Sequence, residues 1–242
     1  MIVNNDRKTT PKQRIIVALI AIVLLGSTFA LYAGIVLGYK NTENQQTIST
    51  EKTNRFNELY ADYQNREDAQ ARELSKKYFD TFKARRTDVK AFNAAGVNTL
   101  TTKDIVVGTG REIKSNIDEN GKSEAWDTDY AAYYIGWLSD ETIFDSSFDS
   151  TENPAELKSP LTGSSSMIQG WLEGIEGMRI GGIREITIPA VLGYGDTAQG
   201  TIPANSPLKF IVMMIEKPEA LEVSDELEQL ANELYGYSFR QQ

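Results

Sequence analysis

The pattern of apolar and polar positions changes along the chain, and its first part is the least polar. Residues 15–39 (IIVALIAIVLLGSTFALYAGIVLGY) form an uncharged run of 25 residues. At a rise of 1.5 Å per residue, a helix of that length crosses a hydrocarbon core of about 30 Å. Cationic residues precede the run at Arg7, Lys8, Lys12 and Arg14, whereas only Lys40 follows closely. The positive-inside rule therefore predicts a single-pass helix in the cell membrane, with residues 1–14 in the cytoplasm and the rest extracytoplasmic.

A cleaved signal peptide is the competing interpretation of this run. Its apolar core would be unusually long, and cleavage after Ala30 or Ala33 would leave Thr28 or Leu31 at the minus-three position. A retained anchor fits the sequence better. Within the run, small residues recur every four positions, and such ridges allow two membrane helices to approach closely. Homodimerisation through this ridge is a hypothesis, because small residues are common in membrane helices in any case; its members are Gly26, Ala30, Gly34 and Gly38.

Residues 40–98 are predicted to form a linker followed by an amphipathic helical stalk. The segment 41–52 is polar, whereas 53–95 has no proline or glycine and carries apolar residues at helical spacing. Polar residues interrupt the stripe at Arg66, Gln70 and Glu73, which argues against a coiled coil. We expect the helix to stop near Gly96 and to pack either on the following domain or on another helical turn. The stripe comprises Phe56, Leu59, Tyr60, Tyr63, Leu74, Tyr78 and Phe82.

From residue 99 the apolar spacing becomes that of β-strands. The sequence predicts an antiparallel sheet with one short helix, which is an α+β domain over residues 99–217. The tail at 218–242 contains a predicted amphipathic helix at 224–234, with Ser224 as its cap. In the domain, strands are predicted at 99–110, 129–138, from 143, 183–188 and 208–215. The helix is predicted at 167–174, capped by Ser165 or Ser166.

Composition restricts the chemistry that this domain can perform. The chain has no histidine and no cysteine, and its formal net charge is −9. A triad built on imidazole, thiolate catalysis, disulfides and most transition-metal sites are therefore excluded, and a nucleic-acid partner is disfavoured. We expect no metal and no cofactor. Any activity must come from aromatic walls and a few polar groups.

Six motifs in one order resemble those of the FKBP-type peptidyl-prolyl cis–trans isomerases, in a membrane-anchored form similar to bacterial ones. They lie between residues 134 and 210, and their joint order and spacing make the resemblance specific. The motifs are Tyr134-x-Gly136-x-Leu138, Phe144-Asp145-Ser146-Ser147, Met167-Ile168-Gln169-Gly170-Trp171, Gly177-Met178-x-x-Gly181-Gly182-x-Arg184, Ile188-Pro189-x-x-x-Gly193-Tyr194-Gly195, and Ile202-Pro203-x-Asn205-x-x-Leu208-x-Phe210.

The resemblance implies a half-barrel sheet wrapped around a short helix, with the active pocket between them. Trp171 would form the floor, and Asp145 the polar rim. Ile202 and Tyr194 would come from an overhanging loop. The Ile168 N–H and the Tyr194 hydroxyl would bond to carbonyl groups of a proline-containing polypeptide client or a macrolide inhibitor. The walls would be Tyr134, Phe144, Met167, Ile168 and Phe210.

These residue types suit prolyl isomerisation. Rotation about a peptide bond meets a barrier of about 18–20 kcal/mol because twisting removes resonance. A twisted amide has less charge separation than a planar one, so an apolar pocket that excludes water favours the twisted state. Proline is selected because X–Pro bonds are the ones that populate cis appreciably.

The sequence departs from the family pattern at residues 154–163, where a common aromatic residue is absent. One wall is either missing or supplied by Leu157 or Leu161. The usual Asp-Gly turn before the second motif reads Asp140-Glu141, and Ala204 replaces a common second proline. Tyr133 and Phe148 are expected at the surface or in the outer core. The alternative function is a catalytically weak, membrane-tethered chaperone or peptide-binding scaffold that uses the same pocket.

Overall fold

The computed structural model describes residues 43–117 and 123–239. Its contacts divide the chain into two units, Met1–Asn57 and Glu58–Gln242. The predicted membrane helix at 15–39, with its ridge of small residues, lies outside the described residues. Across the two described ranges, no helix is both long enough and apolar enough to span a membrane.

The second unit is built on an antiparallel sheet in the order β1-β7-β8-β4-β5, with β6 paired to β4. Two further short strands, β2 and β3, pair with each other apart from this sheet. The strands are β1 Thr101–Val106, β2 Asn116–Ile117, β3 Ser123–Ala125, β4 Ala131–Trp137, β5 Ile143–Ser146, β6 Leu161–Thr162, β7 Ile183–Ile188 and β8 Leu208–Ile215. The α-helices are α1 Glu43–Lys83, α2 Gln169–Ile175 and α3 Asp225–Tyr235. The predicted antiparallel sheet with a short helix is confirmed.

The sheet separates two apolar cores because successive side chains of a strand point to opposite faces. On β4, Ala132 and Tyr134 belong to the core that contains α2, and Tyr133 and Ile135 belong to the core that contains part of α1. The seven apolar residues of β8 divide in the same way, with Phe210 on the α2 side.

Helix α2 lies unusually close to β7, and two glycines make this approach possible. A Cβ atom on Gly170 would lie 2.2 Å from a methyl carbon of Ile188, and one on Gly174 would lie 2.5 Å from Ile186. The predicted serine cap is wrong: the helix begins at Gln169, after Ile168, and no side chain caps it. Instead, the Ser164 hydroxyl accepts a hydrogen bond from the Ser166 N–H at 3.2 Å, within the preceding turn.

Helix α1 is 41 residues long and differs from its predicted extent at both ends. It begins at Glu43, inside the segment interpreted as a linker, because that polar stretch has no proline or glycine to interrupt a helix. It ends at Lys83, well before Gly96. A 3₁₀ turn at Ala84–Asp88 follows, and the chain then runs along the end of the sheet, where the Phe92 N–H donates to the Ser139 carbonyl at 3.1 Å.

The C-terminal part of the helical stripe packs on the sheet. Phe82 is fully buried, and Leu74, Tyr78 and Phe79 pack against the same core. This core includes Tyr133, Ile135, Trp137, Phe148 and Leu157. The Ser75 hydroxyl accepts a buried hydrogen bond from the Leu157 N–H at 2.8 Å. Of the two alternatives for the stripe, packing on the domain is therefore correct for its C-terminal part. Tyr133 and Phe148 are not surface residues, because α1 covers them.

The C-terminal helix α3 is confirmed within one residue of its predicted extent. The Ser224 hydroxyl accepts a hydrogen bond from the Leu227 N–H at 3.2 Å, as a helix cap does. Before α3, the Glu219 carbonyl accepts a hydrogen bond from the Gln70 side chain at 2.8 Å. After α3, the Phe239 ring lies 5.5 Å from the Tyr63 ring. The tail therefore packs on α1.

Candidate active site

The predicted site residues come from five separate parts of the fold. Strands β4, β5 and β8 supply Tyr134, the Phe144–Asp145 pair and Phe210. The start of α2 supplies Met167, Ile168 and Trp171, and the segment between β7 and β8 supplies Tyr194 and Ile202. Tyr134, Phe144, Met167, Ile168, Trp171, Ile202 and Phe210 all pack in one apolar core. We call these seven residues, together with Asp145 and Tyr194, the aromatic pocket.

Trp171 and Phe210 are both buried in the aromatic pocket. The two residues are 3% and 6% exposed, and their rings meet edge to face with centroids 5.5 Å apart. The Trp171 Nε1–H donates a buried hydrogen bond to the Tyr130 hydroxyl at 3.0 Å. This bond satisfies the one polar atom of the indole, which leaves an apolar surface facing the pocket.

Tyr134 connects this surface to the polar rim. Its ring stands edge-on to Trp171 at 5.6 Å, and its hydroxyl donates to an Asp145 carboxylate oxygen at 2.5 Å. Burial raises the pKa of the Tyr134 hydroxyl, and the hydrogen bond to Asp145 raises it further. The Tyr134 N–H also donates to the Ser147 hydroxyl at 2.9 Å, and the Tyr134 carbonyl accepts from the Ser147 N–H at 2.9 Å. Ser147, the last residue of the Phe-Asp-Ser-Ser motif, is thus bound to β4 through both the backbone N–H and the backbone carbonyl of Tyr134.

Gly136 creates the space for two of the walls. The Phe144 and Phe210 rings meet edge to face at 5.5 Å, directly over this glycine. A Cβ atom at position 136 would lie 2.6 Å from the Phe144 ring and 2.7 Å from the Phe210 ring. A side chain there would displace both walls.

The loop between β7 and β8 brings Tyr194 to the edge of the aromatic pocket. Tyr194 is 38% exposed, whereas Ile202 from the same loop is buried. Burial raises the pKa of the Tyr194 hydroxyl, and the negative charge of Asp145 adds to this increase, so the two groups act on each other. Within the described residues, no hydrogen bond engages the Tyr194 hydroxyl or the Ile168 N–H. Both donors remain available to a ligand.

The two candidates for the missing wall, Leu157 and Leu161, lie on opposite sides of the sheet. Leu157 packs in the core beneath α1, on the opposite side of the sheet from the aromatic pocket. Leu161, on β6, packs against the core that contains Trp171. If one of the two replaces the absent aromatic residue, it is Leu161.

Sequence reasoning missed Tyr130, which bonds to Trp171. It stands two and four residues before Ala132 and Tyr134, so the period of two along β4 places all three on one face of the sheet. That spacing was the available signal. Trp126, which also packs against this core, precedes the strand and carries no such signal.

The comparisons with known proteins agree with this architecture. The family model described as FKBP-type peptidyl-prolyl cis-trans isomerase matches residues 121–215, a range that includes every residue of the aromatic pocket. The FK506-binding protein of Neisseria meningitidis serogroup C is 40% identical over 112 residues, which are 44% of this chain and 96% of that protein. Its counterpart in N. meningitidis serogroup B is 39% identical over 100 residues, which are 40% of this chain and 85% of that protein.

Among solved structures, the crystal structure of AtFKBP13 is 31% identical. The match covers 49% of this chain and 93% of that chain, with a TM-score of 0.36. On the sequence identity and near-complete coverage of the Neisseria relatives, the chain belongs to the family of FKBP-type peptidyl-prolyl cis–trans isomerases.

Proposed function

We propose that this protein accelerates the cis–trans rotation of X–Pro bonds in extracytoplasmic polypeptides, by stabilising the twisted amide without a covalent bond. The observation that carries the proposal is the arrangement of Tyr134, Trp171 and Phe210. Their rings stand nearly perpendicular or tilted to one another, with centroids 5.5 to 6.4 Å apart. The three rings pack on one another and present an apolar surface against which a proline ring can pack.

The apolar walls supply the main effect. A planar amide loses dipole as it twists, so its transfer from water to an apolar enclosure costs less in the twisted state than in the planar state. Exclusion of water also removes the hydrogen bonds that stabilise the planar carbonyl. No nucleophile and no general base take part, in keeping with a chain that lacks histidine and cysteine.

Two donors orient the peptide. The Tyr194 hydroxyl and the Ile168 N–H donate to carbonyl groups of the client on either side of the twisting bond. The Tyr134–Asp145 hydrogen bond uses the donor capacity of the Tyr134 hydroxyl, so this wall presents mainly its ring to the client. Asp145 also accepts a hydrogen bond from the Ser146 N–H at 2.8 Å, which supports its position at the rim.

The predicted anchor at 15–39 and the positive-inside pattern support a location on the outer side of the cell membrane. A homodimer through the ridge of Gly26, Ala30, Gly34 and Gly38 is a secondary hypothesis. A crosslinking assay in membranes tests the dimer. A monomer that Gly34→Leu leaves unchanged would eliminate it.

The relatives' name, FK506-binding protein, supports a further part of the proposal, that FK506 occupies the aromatic pocket and competes with the client.

The test of isomerisation is a protease-coupled assay with X–Pro peptides on the full-length chain. We expect catalysis well above the spontaneous rate, inhibition by FK506, and large losses in Asp145→Ala and Phe210→Ala. Asp80→Ala is the matched control, because Asp80 is an exposed aspartate on α1. Circular dichroism must show that each variant stays folded. Peptide binding without any acceleration would support the scaffold alternative and eliminate the enzymatic function.

A further inference from the structure

The floor of the aromatic pocket depends on a residue that no client can reach. Tyr130 is fully buried, and its hydroxyl oxygen accepts the hydrogen bond from Trp171 Nε1–H at 3.0 Å. An indole has one N–H and no acceptor, so a single partner satisfies all its hydrogen-bonding capacity. A buried N–H without an acceptor raises the free energy of the folded state. The bond to Tyr130 therefore favours the ring orientation in which the Trp171 Nε1–H reaches that hydroxyl.

Tyr130 is itself held by the end of the segment that departs from the family pattern. Its carbonyl accepts from the Gly163 N–H at 2.9 Å. Its ring lies so close to this glycine that a Cβ at position 163 would be 2.7 Å from Tyr130 Cε1. The Tyr130 ring is therefore fixed between Gly163 and Trp171.

We propose that Tyr130 is a positioning residue for the isomerisation, which sets the rotation of the Trp171 ring about its side-chain bonds. The inference rests on the proposed function. The Tyr134 and Phe210 rings stand at 85° and 89° to the Trp171 ring, so rotation of the indole changes the angle between floor and walls. The outer torsion of tryptophan has a broad energy profile, so the torsion alone does not hold the ring. A change that weakens the fit to the twisted amide but not to the planar substrate lowers kcat more than it raises KM.

The neighbouring Tyr133 provides a matched control. It is also fully buried on β4, but it faces α1, and its hydroxyl has no hydrogen-bond partner within the described residues. Tyr130→Phe and Tyr133→Phe each remove one buried hydroxyl, Tyr133 on β4 and Tyr130 immediately before that strand. The difference is that Tyr130→Phe alone leaves the Trp171 N–H without an acceptor.

The experiment is a double-mutant cycle on the full-length chain, with Tyr130→Phe, Trp171→Phe and both together, and with kcat and KM measured separately. We expect Tyr130→Phe to lower kcat about fivefold to tenfold, with KM changed less than about twofold. In the Trp171→Phe background, where no indole N–H exists, Tyr130→Phe should change kcat less than about twofold. Tyr133→Phe should leave kcat unchanged.

A spectroscopic measurement tests the hydrogen bond independently of activity. In the ¹⁵N-tryptophan-labelled wild-type chain, we expect the indole proton of Trp171 to exchange slowly with water, and Tyr130→Phe to accelerate that exchange. Signals of Trp126 and Trp137 serve as internal references, and Trp171→Phe assigns the resonance.

The possible results separate the two claims. An equal loss of kcat in both backgrounds, or a lower Tm with unchanged kcat, would reduce Tyr130 to a packing residue and overturn its positioning role. Rapid indole exchange in the wild-type chain would also overturn it. Failure of the wild-type chain to accelerate isomerisation would overturn the proposed function itself, and the positioning role with it.

Discussion

The rings of Phe82 and Phe148 stack with their centroids 5.4 Å apart and an angle of 21° between their planes. Phe82 is on α1, and Phe148 follows β5, three residues after Asp145 of the aromatic pocket. Both are buried in the core on the far side of the sheet. This contact makes the C-terminal part of α1 a component of the folded domain, and it ties the chain that follows Asp145 to the helix.

Substitution of Phe82 by alanine should destabilise the domain. The ring is fully buried, and a phenylalanine-to-alanine change in such a site costs about 3–5 kcal/mol through lost burial and the remaining cavity. Chemical denaturation of the full-length chain measures the free energy of unfolding. Lys76→Ala, on the exposed side of the same helix, should change it by less than about 0.5 kcal/mol. A cost for Phe82→Ala below about 1 kcal/mol would contradict the packing of α1 on the sheet.

A fragment that begins at residue 97 should be much less stable than one that begins at residue 58. Removal of α1 exposes the apolar face of the sheet that carries Tyr133, Ile135 and Trp137. Truncation at residue 97 also removes Lys90, which follows α1 and whose carbonyl accepts a hydrogen bond from Trp137 Nε1–H at 3.0 Å. Thermal unfolding and light scattering of the fragments 58–242 and 97–242 test this. Equal melting temperatures and equally monodisperse samples would show that α1 is dispensable.

Gly136→Ala should impair activity more than the small size of the added methyl group suggests. The added Cβ would lie 2.6 Å from Phe144 and 2.7 Å from Phe210, so both walls must move. We expect a loss of about tenfold or more in kcat/KM, with a stability cost of about 1–3 kcal/mol from overpacking. The control is Gly96→Ala, where the nearest atom would be 3.8 Å away, and the isomerase assay compares both. Wild-type activity in Gly136→Ala would contradict the placement of these rings.

The sheet was largely predictable because local patterns encode it. The strands at 183–188 and 208–215 have the predicted bounds, since both are apolar runs with glycine or proline residues nearby. The residues of the aromatic pocket were predicted only through the resemblance of spaced motifs to a known family, and seven of the nine pack in one core. In contrast, the partners of α1 could not be predicted, because its apolar stripe specifies a buried face without specifying what covers it.

Two local features depart from what local sequence rules predict. Glu141 occupies the position of a common glycine and adopts a φ of 71°, the left-handed region that favours glycine. Its carboxylate accepts a hydrogen bond from the Ala91 N–H at 2.9 Å, and this contact spans 50 residues of sequence. The helix cap predicted at Ser165 or Ser166 is wrong for a local reason. The preceding turn uses the nearby serines for its own hydrogen bonds, and local capping rules do not anticipate this competition.

The activity should not fall as the pH rises from about 6.5 to 9, unlike that of an enzyme that depends on an ordinary titrating base. The Tyr194 hydroxyl must be protonated to donate to the client, and the Tyr134 hydroxyl must be protonated to donate to Asp145; burial raises the pKa of both above the usual value for tyrosine. A raised pKa keeps a hydroxyl protonated to a higher pH, so neither group loses its proton in this range. The chain has no histidine that would titrate there.

NMR exchange spectroscopy on an X–Pro peptide measures the rate without a coupling protease, and the spontaneous rate is subtracted at each pH. Tyr194→Phe should lower the rate by a constant factor across the range. If the wild-type rate falls more than twofold by pH 9 and Tyr194→Phe removes that fall, then the Tyr194 hydroxyl titrates below its usual range, which contradicts the raised pKa at the edge of the aromatic pocket.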